Sequence, residues 1–184
     1  MAEIQGPEPI SSDAQHITIM MTIGKYSFGT GDRFAHQAKA QLRAFQLLAK
    51  DGVHVVPVWN KSNREHTFIG SEPHSVLDAA KAAVSELGWT QSWHIDADHI
   101  RLDTVDRFMA SSDFFTSDVA DSIGKPATVV DVQAFLKRHP ELVGPLDIPS
   151  VSAPITTTRV EVECVVAKYL LAVREAGDIY RYIA

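Results

Sequence analysis

The chain has 184 residues, 45% apolar and 22% charged, with a formal net charge of −6. That length suits one domain with a real core, and the apolar-to-charged balance is globular rather than disordered. The acidic balance excludes a nucleic-acid backbone or an anionic membrane as main partner, since either selects a basic face. Cys164 is the lone cysteine, which excludes an intrachain disulfide and a thiolate zinc site and fits a reducing compartment. Residues 1–15 lack the charged-then-apolar pattern of a signal peptide. No apolar run approaches the ~20 residues of a membrane span, so the expectation is a soluble, cytoplasmic protein.

In chain order, residues 1–15, with Gly6, Pro7 and Pro9, read as a flexible leader, and residues 16–23 as a strand or edge piece. A short strand over 25–28 runs into Gly29-Thr30-Gly31-Asp32-Arg33, and a helix is expected over 33–50. There Ala38, Leu42, Phe45 and Leu48 recur at helical spacing, and Gly52 closes the element. Residues 53–59 form a mostly apolar run, as in a strand buried on both faces. Residues 60–66 contain no aliphatic side chain and read as a polar loop. Ser71 is expected to cap a helix with Pro73 in its first turn and Gly88 at its end. A third strand over 92–96 delivers Asp96-Ala97-Asp98-His99, a helical stretch follows over 103–110, and residues 114–116 are a candidate fourth strand. Beyond them a helix over 129–143 is expected to close at Gly144-Pro145, with a linker over 148–158. Thr158 then caps a long helix reaching Ala184 without a stop signal. Its stripe of Val162, Val165, Val166, Tyr169, Leu170 and Val173 suits a core or an interface. The expected division is a leader over 1–15, βα units over 16–125, and a helical extension of the same domain over 126–184, truncated at its end.

Strand, polar loop and helix alternate as in the βαβ units of a parallel sheet. In such sheets ligand sites gather at the carboxyl ends of the strands. Each chemically dense stretch here follows a strand: residues 30–33, 60–66 and 96–99. The connections at the opposite end, such as Asp51-Gly52, are short and carry little chemistry. Asp-x-Asp-His at a strand end has the groups for a base plus a metal ligand, and equally those of a polar turn with a surface histidine. Gly29-Thr30-Gly31-Asp32 lacks the third glycine of a dinucleotide fingerprint. A tight turn whose amides and Arg33 meet a small anion suits it better. Residues 60–66 are either a solvated loop or a clamp for an anionic substrate built on Lys61 and Arg64. Trp59, Trp89 and Trp93 read as packing residues, and His36, His54, His74 and His139 as structural or exposed.

Five stretches also resemble one enzyme family. They are Tyr26-Ser27-Phe28-Gly29-Thr30-Gly31-Asp32-Arg33-Phe34, Pro57-Val58-Trp59-Asn60-Lys61-Ser62-Asn63-Arg64-Glu65-His66, Asp96-Ala97-Asp98-His99-Ile100, Thr104-Val105-Asp106-Arg107-Phe108 and Ser111-Ser112-Asp113-Phe114-Phe115-Thr116. In order and length they resemble the tagaturonate epimerases, over about residues 24–184. The resemblance implies a TIM-barrel-like α/β fold and a metal-dependent isomerase interconverting fructuronate and tagaturonate, keto-hexuronates of hexuronate catabolism. It implies Asp98 as catalytic base and His99 as a ligand of a divalent metal, with Asp32, Arg33, Asn60, Lys61, Arg64 and His66 as candidate substrate-binding residues. Members of the family are much longer, so the resemblance implies an N-terminal half-barrel whose remaining metal ligands and second acid/base lie elsewhere. His plus carboxylate suits Mn, Fe, Ni, Co or Zn alike.

The chemistry narrows the route. In a 2-ketose the acidic protons lie at C1 and C3, so removing the C4 hydrogen gains no enolate stabilisation. Inversion at C4 therefore needs carbonyl migration or retro-aldol cleavage of the C3–C4 bond with re-closure on the other aldehyde face. Two other readings stay open: an inactive fragment or interaction module that needs a complementary half, with uncovered strand edges through which it could self-associate, and a different sugar isomerase or aldolase on a similar barrel.

Overall fold

A computed structural model describes residues 24–153 and 155–184. The expected leader and the expected strand over 16–23 lie outside the described residues. Four strands form one sheet: β1 (Ser27–Gly31), β2 (Val56–Ser62), β3 (His94–Ile100) and β4 (Phe114–Ser117). They are hydrogen-bonded in the order β1-β2-β3-β4, every neighbouring pair parallel. Among the described residues no helix is long and apolar enough to cross a membrane.

Between β1 and β2 runs α1 (Ala38–Lys50); between β2 and β3 run α2 (Asn63–Ile69) and α3 (His74–Leu87). Side chains alternate along a strand, and Trp59 of β2 and Ile95 of β3 share a core with Ala38 and Leu42 of α1 and Val76, Leu77, Ala80 and Ala83 of α3. That face of the sheet is the helix-covered one. Trp59 meets Trp93 edge to face at 6.0 Å, a packing role as expected. Asn60, Asp96 and Asp98 alternate onto the opposite face.

Several boundaries differ from the sequence reading. The helix expected over 33–50 begins only at Ala38. The cause is Asp32, whose carboxylate accepts from the amides of Phe34, His36 and Gln37, while Ala35 sits at φ 55°. Residues 60–66 are not a loop: β2 runs on to Ser62, and α2 starts at once under a Ser62–Glu65 capping box, ending at left-handed Gly70. The helix over 103–110 shrinks to one 3₁₀ turn, Val105–Arg107. Both Val105 and Phe108 are drawn into a core with Ala97, Ile100 and Ile179.

Further along, α4 (Val129–Arg138) stops before Pro140, which has no N–H to extend it. Gly144-Pro145 does not merely end a helix. It opens β5 (Gly144–Leu146), antiparallel to β6 (Ile155–Thr157), inside the stretch read as linker. The last helix, α5 (Arg159–Ile183), starts under a Thr158–Glu161 capping box. Val162, Val166 and Leu170 pack on Val132 and Leu136 of α4, whereas Val165 and Val173 stay more than half exposed.

Candidate active site

Because all four strands are parallel, their carboxyl ends share one edge. Register fixes who meets there: Gly31 pairs with Asn60, Asn60 with Asp96, and Ser62 with Asp98. A Cβ on Gly31 would lie 2.8 Å from Asn60 Oδ1. Glycine at that position lets the Asn60 amide lie flat against β1.

The centre of the edge is a bulge. Ala97 pairs with Phe115, then Ile100 with Ser117, so β3 spends one residue more than β4 over the same span. His99 takes up the excess in left-handed backbone, φ 55°. In a regular strand Ala97 and Ile100 would face opposite ways, yet both enter the same core. The bulge therefore presents two consecutive polar side chains, Asp98 and His99, on the rim. Asp98 Oδ1 and His99 Nε2 lie 3.7 Å apart, the carboxylate 21% and the imidazole 65% exposed. The reading that placed this pair after the strand is corrected: it lies within β3, at its carboxyl end.

Burial holds the Asp98 carboxyl above its usual range; His99 and Arg64 pull it down and Glu65 pushes it up. Two residues inward, Asp96 is pushed up to about 6, chiefly by burial and further by Asp98, although Thr116 opposes this. The Thr116 hydroxyl lies 3.0 and 2.9 Å from the two Asp96 oxygens. Burial also acts on Glu65, but its bonds from the Ser62 amide and hydroxyl, with Arg33 and Lys61 nearby, bring it below its usual range.

The other expected site residues divide. Arg64 stands exposed on α2 and has no ion-pair partner among the described residues. The Arg33 guanidinium is 3.8 Å from Glu65 and 5.5 Å from the Phe68 ring centre, so it ties the loop after β1 to α2. Asp32 is committed to three backbone amides, which outweigh its burial and lower its pKa. Lys61 and His66 turn away from the rim. Lys61, 2% exposed, donates to Ser71 Oγ at 2.9 Å, and His66 Nδ1 meets the same hydroxyl at 2.9 Å. With Ser71 they form a buried triad beneath α2. Burial, with Lys61 and Arg107 nearby, pushes His66 down to about 4.

One polar pair escaped the sequence reading. His94 Nδ1 lies 2.9 Å from Asp113 Oδ2, whose other oxygen accepts from the Ile95 amide. His94 Nε2 is buried without a partner among the described residues. Its signal was the alternation His94-Asp96-Asp98, which puts all three on the face away from the helices.

As to a metal, the rim offers an imidazole beside a carboxylate, the donor types a divalent cation takes. His99, 65% exposed at the rim, fits as one member of a ligand set, and Asp98, 3.7 Å away, stands beside it. Among the described residues no group of three or more His, Cys, Asp or Glu completes it.

Comparison with known proteins agrees with this architecture. A family profile described as tagaturonate epimerase matches residues 13–146. No curated protein matches the chain. Among solved structures, native fructuronate-tagaturonate epimerase from Cohnella laeviribosi superposes with a TM-score of 0.68 at 19% identity, covering 85% of this chain and 34% of that one. A one-glycerol complex of the same enzyme gives 0.67, again at 19% identity, 85% and 34%. The chain thus spans about a third of the solved relatives it matches. With the profile covering most of its length, the chain belongs to the tagaturonate epimerase family.

Proposed function

We propose that the β3 bulge is part of the active site of a C4 epimerase interconverting fructuronate and tagaturonate. The observation that carries this is the placement of Asp98 and His99 side by side, at the carboxyl edge of a parallel sheet, in a chain of that family. Asp98 is the base that takes the C4 hydroxyl proton as the C3–C4 bond breaks and returns it on re-closure. Its raised pKa brings it nearer the pH at which a base works efficiently. His99 is one ligand of a divalent cation, which when bound supplies Lewis-acid polarisation of the C2 carbonyl. Arg64, free at the rim, holds the C6 carboxylate, and Asn60 contacts a substrate hydroxyl. The family barrel supplies the remaining ligands from beyond the described residues, in the soluble cytoplasmic setting expected of hexuronate catabolism.

In the full-length protein, NMR of the reaction with fructuronate and a divalent cation tests this. Cleavage and re-closure keep all six carbons in the product and retain a deuterium placed at C4; carbonyl migration washes that label out. Asp98→Asn should keep the cation while turnover drops about 10²- to 10⁴-fold, and His99→Ala should lose cation and turnover together. Full turnover in Asp98→Asn would remove Asp98 from the role.

A further inference from the structure

The stretch Thr104-Val105-Asp106-Arg107-Phe108 takes no part in that chemistry, yet each of its side chains is committed. Thr104 Oγ1 accepts from the Arg101 amide, Val105 and Phe108 fill the core beneath β3, and Asp106 accepts from Tyr182 of α5. Arg107 reaches furthest. Its Nη1 donates to Asn63 Oδ1 at 2.8 Å and Thr67 Oγ1 at 3.3 Å. Its Nη2 donates to the Ser71 carbonyl at 2.8 Å and Glu72 Oε1 at 3.1 Å, and Nε to Glu72 Oε2 at 3.0 Å. Every N–H of the guanidinium is used.

These partners all belong to α2 or to the elbow between α2 and α3. The helix needs such a hold. It has seven residues and buries only His66, so neither its length nor an apolar face fixes its position. It also carries Arg64 and Glu65, and it starts directly from Ser62, whose backbone pairs with Asp98 in the sheet. Arg107 grips it from the connection that follows the bulge. We propose that Arg107 is a positioning residue: it locks α2, and with it Arg64 and Glu65, against the Asp98–His99 bulge. This rests on the assignment of that bulge as the active site.

An ordinary surface ion pair with Glu72 would stabilise the protein a little and evenly. A positioning clamp acts locally and depends on the planar fork, which a lysine ammonium cannot reproduce. Arg101 supplies the control. It sits on the same connection, but its guanidinium engages Asp118 and Asp121, away from α2.

The experiment compares Arg107→Lys, Arg107→Ala and Arg101→Ala, each in the full-length protein, by amide hydrogen exchange and by steady-state kinetics on fructuronate with a divalent cation. Both Arg107 variants should exchange about tenfold faster or more across residues 63–69, with β2 and β3 unchanged. Their KM should rise on the order of tenfold, more than kcat falls, and guanidinium ion should partly restore Arg107→Ala. Arg101→Ala should show neither effect. Unchanged exchange in α2, equal acceleration throughout the chain, or full function in Arg107→Lys would overturn the clamp. Hydrogen exchange decides this whether or not the parent turns over fructuronate. A loosened α2 in a protein without turnover would overturn the functional reading and leave the clamp standing.

Discussion

His99 holds left-handed backbone, φ 55°, without being glycine. A side chain with a Cβ typically costs about 1–2 kcal/mol there, and such strain persists where the surroundings enforce it. The enforcement is visible: Ile100 must return to the core with Ala97, so the extra residue has no other place to go. The prediction separates strain from ligation. His99→Gly should raise stability above His99→Ala by up to about 1 kcal/mol, while both lose the imidazole and the cation equally. Urea denaturation beside metal analysis of the purified variants measures both. A glycine variant less stable than the alanine variant would mean that the bulge is unstrained.

At the scale of elements, α2 is the piece most exposed to small changes. Its N-terminus is held by the reciprocal bonds of Ser62 and Glu65. Ser62→Ala removes one side of that box and should cost about 1 kcal/mol, expressed as faster exchange in residues 63–69 rather than across the sheet. A loss spread evenly over the sheet would show that the cap does not set the helix. The same helix shows what a single sequence reveals and what it hides. Strands and helices with apolar faces, such as β2 and α3, are legible from their periodicity. Residues 63–69 bury one histidine and carry no aliphatic stripe, so only the Ser62-x-x-Glu65 spacing pointed to a helix. The far half of β3 was hidden for a related reason: Asp96 and Asp98 face away from the helices, and the bulge breaks the alternation. The rim pair Asp98–His99 was legible because its chemistry is contiguous in sequence. The burial of Lys61 was not, since it depends on Ser71, ten residues away on another element.

For the whole molecule two further outcomes follow. Among the described residues only β3 pairs with β4, and a groove of about 350 Å³ lies beside that edge, between β4 and the end of α5, lined by Ile100, Phe115, Ile179 and Tyr180. An uncovered strand edge beside apolar side chains favours association. Sedimentation should therefore show self-association that rises with concentration and weakens in Tyr180→Lys; a monomer at every concentration would end that reading. The last outcome concerns pH. His66 titrates at about 4 instead of 6.5 because burial and its cationic neighbours keep it neutral. The unfolded chain thus takes up that proton first, so the stability His66 contributes is complete above about 6.5 and is lost as pH falls toward 4. Asp96 runs the other way: held protonated up to about 6 against 3.8 when unfolded, it contributes fully below about 4, and that contribution is lost as pH rises through 6. Asp98, also raised, acts in the same sense as Asp96. Each of the two larger shifts is worth on the order of 3 kcal/mol, with opposite sign over nearly the same window. Stability of the parent should stay nearly flat between about pH 4 and 6.5. Asp96→Asn removes one arm and should lose stability steadily as pH falls through that range; His66→Asn removes the other and should gain. Parallel profiles for parent and variants, measured by urea denaturation at closely spaced pH values, would show that the two groups do not oppose each other.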